Sequence, residues 1–345
     1  MPAISFLGNI AVDLGTANTY ILTDEKAPPF SCASAVLVDA KRPTDIYATG
    51  DDAKRMEGRA GDDALLLSPI SYGGVADSEL AAVLIVGSVE KASGKHKQLE
   101  KSRLVLTTPE GATRVERAAL ANAAKLSGAK RVLVVKSPVA AAVAMKRHID
   151  KAEAQIVVSI GSNVTEVTVI SAYGVVLNRH AKTGSSLFDD AITEYIRLQH
   201  GLVIPRTVAA ELKKELGSAI EPQMDSVQKL SGRDIRNGRP VTADIGSGDI
   251  NRALSSPIAS LVGLICDALY NIPSDFSSDI LKNGICLTGG GSEMYGLAQR
   301  LKEETKLDVF QTEEPRYDAV RGALRIAQDD RLTRAVTLAY SAYEV

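Results

Sequence analysis

The sequence predicts an α/β protein built from two related halves. Three observations carry this. A length of 345 residues suffices for about two domains, each with its own core. Apolar β-rich runs alternate with helical periodicity along the chain. One strand-turn-strand signature occurs twice, as Asp-Leu-Gly-Thr-Ala-Asn-Thr at 13–19 and Ser-Ile-Gly-Ser-Asn-Val-Thr at 159–165. Composition agrees, with 45% hydrophobic and 24% charged residues, which is globular usage. Lys and Arg number 40 against 42 Asp and Glu, a net charge of −2, so no single-signed field exists to hold nucleic acid or anionic lipid by charge alone.

In chain order, the run 9–22 is apolar on both sides of a Gly-hydroxyl turn and reads as a hairpin. Shorter β-rich runs follow at 34–38, 103–107 and 131–135. Helical spacing covers 114–127, with Gly128 placed to end it, and then 139–148. The second hairpin spans 155–171 and a further strand 175–179. Helices are expected at 187–200, 208–216, 258–269 and 297–305, with strands at 284–288 and 308–311. The stretch 231–241 reads as a polar surface turn with Arg233, Arg236 and Arg239 solvated.

Cys32, Cys266 and Cys286 are far apart with no CxxC spacing, which argues against a disulfide framework or zinc site and for a reducing compartment. His96, His148, His180 and His200 form no paired metal motif. Apolar runs such as 80–86 are far shorter than the ~20 residues of a spanning helix. The N-terminus has no basic segment typical of a signal peptide.

The two hairpin turns hold the chemistry. Gly15 and Gly161 allow close backbone approach, while Thr16, Asn18, Ser162 and Thr165 can donate hydrogen bonds, the requirement of a polyphosphate clamp. Asp13 ends the first strand, where one carboxylate could hold a hydrated Mg2+. A third element, Leu-Thr-Gly-Gly-Gly-Ser at 287–292, could bring backbone against a flat ring or ribose. It does not match GxGxxG, which disfavours a dinucleotide fold. Each feature taken alone is equally an ordinary tight turn.

Together they carry a resemblance. DLGTANT at 13–19, VERAAL at 115–120, SPVAAAVA at 137–144, TEV at 165–167, LKKELGSA at 212–219, SGRDIRNGRPV at 231–241 and LTGGGSEMYGL at 287–297 fall in the order of the bacterial actins of the MreB type, which the chain resembles. The stretch 313–328 is similar to the MamK branch of that family. The resemblance implies an actin-like fold: two related α/β domains, 1–148 and 149–345, around an interdomain cleft for ATP and Mg2+, with the C-terminal helix returning to the first domain. On it, Asp13, Gly15, Thr16, Ala17 and Asn18 form the first phosphate loop and Asp13 also serves the metal. Gly161, Ser162 and Asn163 form the second, with Thr165 catalytic beside them, and Gly184 also binds the nucleotide. Glu211, Lys213 and Lys214 face the adenosine, and Gly289, Gly290, Gly291, Ser292 and Glu293 close the pocket. Glu116 corresponds to the catalytic glutamate that orients or deprotonates the attacking water. Read without the resemblance, Glu116 is a first-turn acid favoured by the helix dipole.

The chain departs from the family at telling places. The second loop, DIGGGTTE in the family, reads SIGSNVTE here: Ser159 replaces the aspartate, Ser162 and Asn163 replace glycines, and Val164 replaces a threonine. The family's Glu-Glu-Pro is Lys136-Ser137-Pro138, and Tyr72 and Gly73 stand where lysine and aspartate are usual. Two outcomes are open: slow ATP hydrolysis with an altered metal shell, or nucleotide held as a structural ligand.

Three classes share this architecture. A sugar kinase needs an acid for its substrate hydroxyl, and a chaperone needs a further substrate domain. A filament needs only the nucleotide core and complementary ends in a head-to-tail contact. The expectation is a cytoplasmic cytoskeletal protein that assembles with itself in paired protofilaments under ATP/ADP control. Membrane or organelle association would be indirect, because only Ile4, Phe6 and Leu7 could anchor the N-terminus. The runner-up is a non-polymerising ATP-dependent switch or kinase.

Overall fold

The structure, a computed structural model, describes residues 8–61, 63–94, 98–221 and 226–340. Ile4, Phe6, Leu7 and His96 lie outside the described residues. The chain divides into two compact units. One takes the described residues of Met1–Val157, Thr168–His180 and Tyr317–Val345, the other those of Val158–Val167 and Ala181–Arg316. This division is interleaved and falls within strands, not at 148/149, because the chain re-enters the first unit twice.

The chain opens with β1 (Asn9–Leu14), β2 (Asn18–Leu22), β3 (Phe30–Ala33), β4 (Val36–Asp39) and β5 (Ile46–Thr49). Next come α1 (Asp51–Arg55), β6 (Ala64–Leu67), β7 (Ile70–Ser71), β8 (Gly74–Val75) and α2 (Ser78–Ser93). Then follow β9 (Arg103–Thr108), α3 (Arg114–Leu126), β10 (Arg131–Lys136) and α4 (Ser137–Ala144). The first sheet has the order β10-β9-β1-β2-β3. Strands β1, β9 and β10 run parallel, while β1, β2 and β3 form an antiparallel meander. Alternation of side chains sends Ile10 and Val12, Leu104 and Leu106, and Val132 and Val134 to one core, where they meet Leu80, Leu84 and Ile85 of α2 and Leu120, Ala123 and Ala124 of α3. Helix α2 escapes the periodicity argument because 80–86 is apolar all round. Its ends are nonetheless marked, by the Asp77 carboxylate accepting from the amides of Glu79 and Leu80 and by left-handed Gly94.

The second half begins with β11 (Gln155–Ile160), β12 (Thr165–Ser171), β13 (Gly174–Ala181) and α5 (Ser186–His200). It continues through β14 (Leu202–Val203), α6 (Arg206–Leu216), β15 (Val227–Asp234), β16 (Pro240–Gly246) and α7 (Ser247–Tyr270). Last come α8 (Ser277–Asn283), β17 (Ile285–Thr288), α9 (Leu297–Thr305), β18 (Val309–Phe310), α10 (Asp318–Gln328) and α11 (Asp330–Tyr340). Its sheet has the order β13-β12-β11-β17-β18, which repeats β3-β2-β1-β9-β10 element for element. The repeat read at 13–19 and 159–165 therefore extends to the whole sheet topology. Helix α10 packs on α4, where Gly322 is required: a Cβ there would lie 1.7 Å from the Ala140 carbonyl oxygen.

Several expectations need correction. The helix expected over 139–148 starts earlier at Ser137, with Pro138 in its first turn, and stops at Ala144. Residues 231–241 are not a turn alone but most of the β15-β16 hairpin, whose tip is closed by the Asp234 amide donating to the Arg239 carbonyl at 2.9 Å. The helix expected over 258–269 is the second half of the 24-residue α7, which runs through Pro257. This helix is also long and apolar enough to cross a membrane, contrary to the apolar-run argument. Its buried residues, Ile250, Ala253, Leu254, Ile258, Leu261, Val262, Ile265 and Ala268, recur every three or four positions, the spacing of a helix packed on one side.

Candidate functional site

The first hairpin turn joins β1 to β2. Its closing bond runs from the Gly15 amide to the Asn18 carbonyl at 3.1 Å, and a Cβ on Gly15 would lie 2.7 Å from that oxygen, so glycine is required. The Ser34 hydroxyl donates to the Gly15 carbonyl at 2.6 Å, the Ser34 amide to the Ala17 carbonyl at 3.0 Å, and the Gly73 amide to the Thr16 hydroxyl at 3.1 Å. Among the described residues the amides of Thr16 and Ala17 have no acceptor, and Ala17 and Asn18 are exposed. Such a turn leaves backbone donors available, as anion-binding backbone does. Just before it, Asp13 accepts a hydrogen bond from the Thr107 hydroxyl of β9. Burial pushes the Asp13 carboxyl above its ordinary range, and the Thr107 bond only partly offsets this.

Glu116 stands in the first turn of α3, in a capping box with Thr113. Its Oε2 accepts from the Thr113 amide at 2.7 Å and the Thr113 hydroxyl at 2.8 Å, while its own amide donates to the Thr113 hydroxyl at 3.2 Å. The carboxyl also lies against Gly74, where a Cβ would come within 2.8 Å of it. Glu116, Gly73, Gly74, Thr107, Thr108 and Leu14 line a cavity of about 10 Å3, close to the room one water needs.

The second turn, between β11 and β12, repeats the closure: the Gly161 amide donates to the Val164 carbonyl at 2.8 Å. Ser162 and Asn163 likewise have amides with no acceptor among the described residues, and the Ser162 hydroxyl donates to the Asn163 side-chain oxygen at 2.8 Å. The support differs. The amides of Ser185 and Ser186 donate to the carbonyls of Gly161 and Ser162 at 3.0 and 2.8 Å. Gly184 fits only because it lacks a side chain, since a Cβ would stand 2.5 and 2.6 Å from the Ser162 and Gly161 carbonyl oxygens. Thr165 is fully buried and its hydroxyl donates to the Thr183 carbonyl at 2.9 Å, so it holds this supporting segment. On α6, Glu211 and Lys214 are exposed, whereas the Lys213 ammonium lies 2.7 Å from Asp189 and donates to the Ser185 carbonyl at 3.0 Å.

The glycine-rich element after β17 packs on the same unit. Gly289 has φ +88° and would place a Cβ 2.5 Å from the Ile160 carbonyl oxygen; at Gly291 a Cβ would meet the Ile160 side chain at 2.5 Å. Gly290 is exposed, the Ser292 hydroxyl bonds back to the Gly289 carbonyl at 2.6 Å, and Glu293 is engaged by Arg316. The Glu293 carboxylate is thus already held within the protein.

Sequence reasoning found Gly184 but missed Thr107, Ser34, Asp189 and the neighbours Thr183, Ser185 and Ser186. Nothing local marks them, because each acts through a contact made by a distant element. Lys136, where the family has a glutamate, forms a half-buried ion pair with Glu110 at 2.8 Å. Among the described residues no group of three or more His, Cys, Asp or Glu could enclose a metal. One half-buried carboxylate, Asp13 near the end of β1, is the kind of ligand that suits a cation keeping most of its water, as Mg2+ does. Amides without an acceptor on both turns are donors of the kind phosphate oxygens accept from.

Comparison with known proteins agrees. The family described as MreB/Mbl protein matches residues 7–334. Cell shape-determining protein MreB of Escherichia coli strain K12 is 32% identical over 320 residues, 92% of either chain. Cell shape-determining protein Mbl of Bacillus subtilis strain 168 is 31% identical over 310 residues, 90% of this chain and 92% of the other. The crystal structure of MreB5 of Spiroplasma citri bound to AMPPNP superposes with a TM-score of 0.87 at 26% identity, covering 96% of this chain and 98% of that one. The MamK double helical filament shares the fold with a TM-score of 0.75 at 23% identity, over 93% and 98% of the chains. The chain belongs to the MreB/Mbl family and has its actin-like α/β fold.

Proposed function

We propose that this chain is a nucleotide-dependent cytoskeletal protein, which binds ATP with Mg2+ and polymerises head to tail in the cytoplasm to organise cell shape or an intracellular structure. The observation that carries the reading is the pair of glycine-closed turns, each with two amides that have no acceptor among the described residues. Support comes from relatives: MreB5 of Spiroplasma citri is described bound to ADP and to AMPPNP, and MamK as a double helical filament. In this reading Thr16, Ala17, Ser162 and Asn163 donate to phosphate oxygens, and Gly289 to Gly291 keep the pocket wall flat for the nucleoside. Asp13 would hold Mg2+, which would supply positive charge against the phosphates. Any membrane association is indirect on this reading, so purified protein should not pellet with liposomes.

Hydrolysis is slow at most. A water in the cavity beside Glu116 is the candidate nucleophile, and positioning dominates phosphoryl transfer. A second reading, nucleotide as a structural ligand without turnover, is favoured by one observation: the Glu116 carboxylate already accepts two hydrogen bonds from Thr113. Glu116→Gln keeps a cap acceptor but no base. Phosphate release that drops at least tenfold in this variant supports turnover through Glu116; a wild-type rate equal to the variant's supports the structural reading. For assembly, light scattering at micromolar protein should rise with ATP and Mg2+ and stay flat without nucleotide. Tight nucleotide binding with no scattering and no filaments in negative stain points instead to a non-polymerising switch.

A further inference from the structure

The face of α6 bears two cations seven positions apart, Arg206 and Lys213, and both grip the start of α5. Arg206 donates to the Ser186 carbonyl at 2.9 Å and pairs with Asp190 at 2.9 Å. Lys213 donates to the Ser185 carbonyl at 3.0 Å and pairs with Asp189 at 2.7 Å. The two clamps differ in setting. The Arg206 and Asp190 side chains are 53% and 56% exposed, whereas those of Lys213 and Asp189 are 16% and 13% exposed. A solvated pair contributes little, but breaking a largely desolvated one leaves a charge without its partner.

What the inner clamp holds is the support of the second turn. Ser185 carries Lys213 on its carbonyl and Gly161 on its amide, and Ser186 holds the Ser162 carbonyl in the same way. Displacement of the Ser185 peptide would therefore be passed to Gly161 and Ser162, and through them to the amides of Ser162 and Asn163, which have no acceptor among the described residues.

We propose that Asp189 and Lys213 are positioning residues for the second phosphate loop, and that Lys213 acts on nucleotide affinity through the phosphates and not through the adenosine. The inference rests on the nucleotide reading above and assigns Lys213 a role different from the one its sequence position implies. Its consequence is a graded selectivity. Disrupting the pair weakens ATP most, ADP less and AMP least, because on that reading the loop acts on phosphate oxygens, of which ATP offers the most and AMP the fewest. A residue touching the adenosine would weaken all three equally.

The test is affinity for ATP, ADP and AMP, each with Mg2+, measured by calorimetry on the full chain, with thermal unfolding alongside. Lys213→Met and the near-isosteric Asp189→Asn should each lower ATP affinity about tenfold relative to AMP affinity. The double variant should be no worse than either single one, and Lys213→Arg should recover most of the loss. Equal losses for all three nucleotides, or additive losses in the double variant, would overturn the positioning role. Should one variant fail to fold, the other carries the same ratio measurement. A wild type that binds none of the three nucleotides overturns the underlying reading instead, and the two failures are thereby distinct.

Discussion

The turn at 15–18 and the turn at 161–164 have the same backbone closure and opposite support. The first is braced largely by side chains and single amides from other strands and turns: the Ser34 hydroxyl, the Ser34 amide, and Gly73 through Thr16. The second is braced by a contiguous backbone segment, 183–186, pressed against it without room for a side chain at Gly184. The first follows a half-buried carboxylate, Asp13; the second follows the half-buried hydroxyl of Ser159. The same turn closure can thus be kept by quite different means, and only the first turn has a carboxylate just before it.

The largest effect should come from Gly184→Ala. Its new Cβ meets backbone oxygens that cannot yield, and overpacking of this kind costs about 1–3 kcal/mol or more. At Gly161, where the nearest obstacle is the Val164 carbonyl oxygen at 3.1 Å, the same change should cost much less. Urea unfolding of both variants would reverse this assignment of rigid support if Gly161→Ala were the worse.

Next in size is Asp13→Asn, which should lower ATP affinity at least tenfold in Mg2+ and hardly at all in excess chelator. Ser159→Asp tests the same asymmetry from the other turn, since it should raise the Mg2+ dependence of binding. Equal Mg2+ dependence in wild type and Asp13→Asn would show that the carboxylate is not where the cation is held.

Ser34→Ala removes the bond to the Gly15 carbonyl and the contact with Thr19 and should cost about 1 kcal/mol, read as a shift in urea midpoint. An unchanged midpoint would mean that the backbone alone holds the first turn.

The smallest effect is on pH. Burial raises the Asp13 carboxyl above an ordinary value of about 4, so the nucleotide-free folded chain binds that proton more tightly than the unfolded chain does. The stability this gives is complete below about pH 4 and is lost as pH rises through the elevated value. In chelator, Asp13→Asn should therefore melt above wild type at pH 8, with the gap closing toward pH 4. A gap independent of pH would assign the difference to something other than ionisation.

Legibility follows locality. Helix α3 is readable because Thr113, Glu116 and Gly128 mark its ends within the sequence, and α9 because its apolar spacing is clean. Helix α7 is only half legible, since Gly248 and Pro257 look like breakers until packing on one face supports them. Glu293 and Lys213 are legible as site residues by motif, yet the fold commits their charges to Arg316 and Asp189.

The paired turns and their glycines are written in the chain alone, because a Gly-hydroxyl turn between apolar strands is a short-range signal that needs no distant partner. Which charges remain available to a ligand is settled only by packing. An ammonium or carboxylate reaches whichever partner the fold brings within about 3 Å, and those partners, Asp189 for Lys213, Thr107 for Asp13 and Arg316 for Glu293, stand 24, 94 and 23 residues away along the chain.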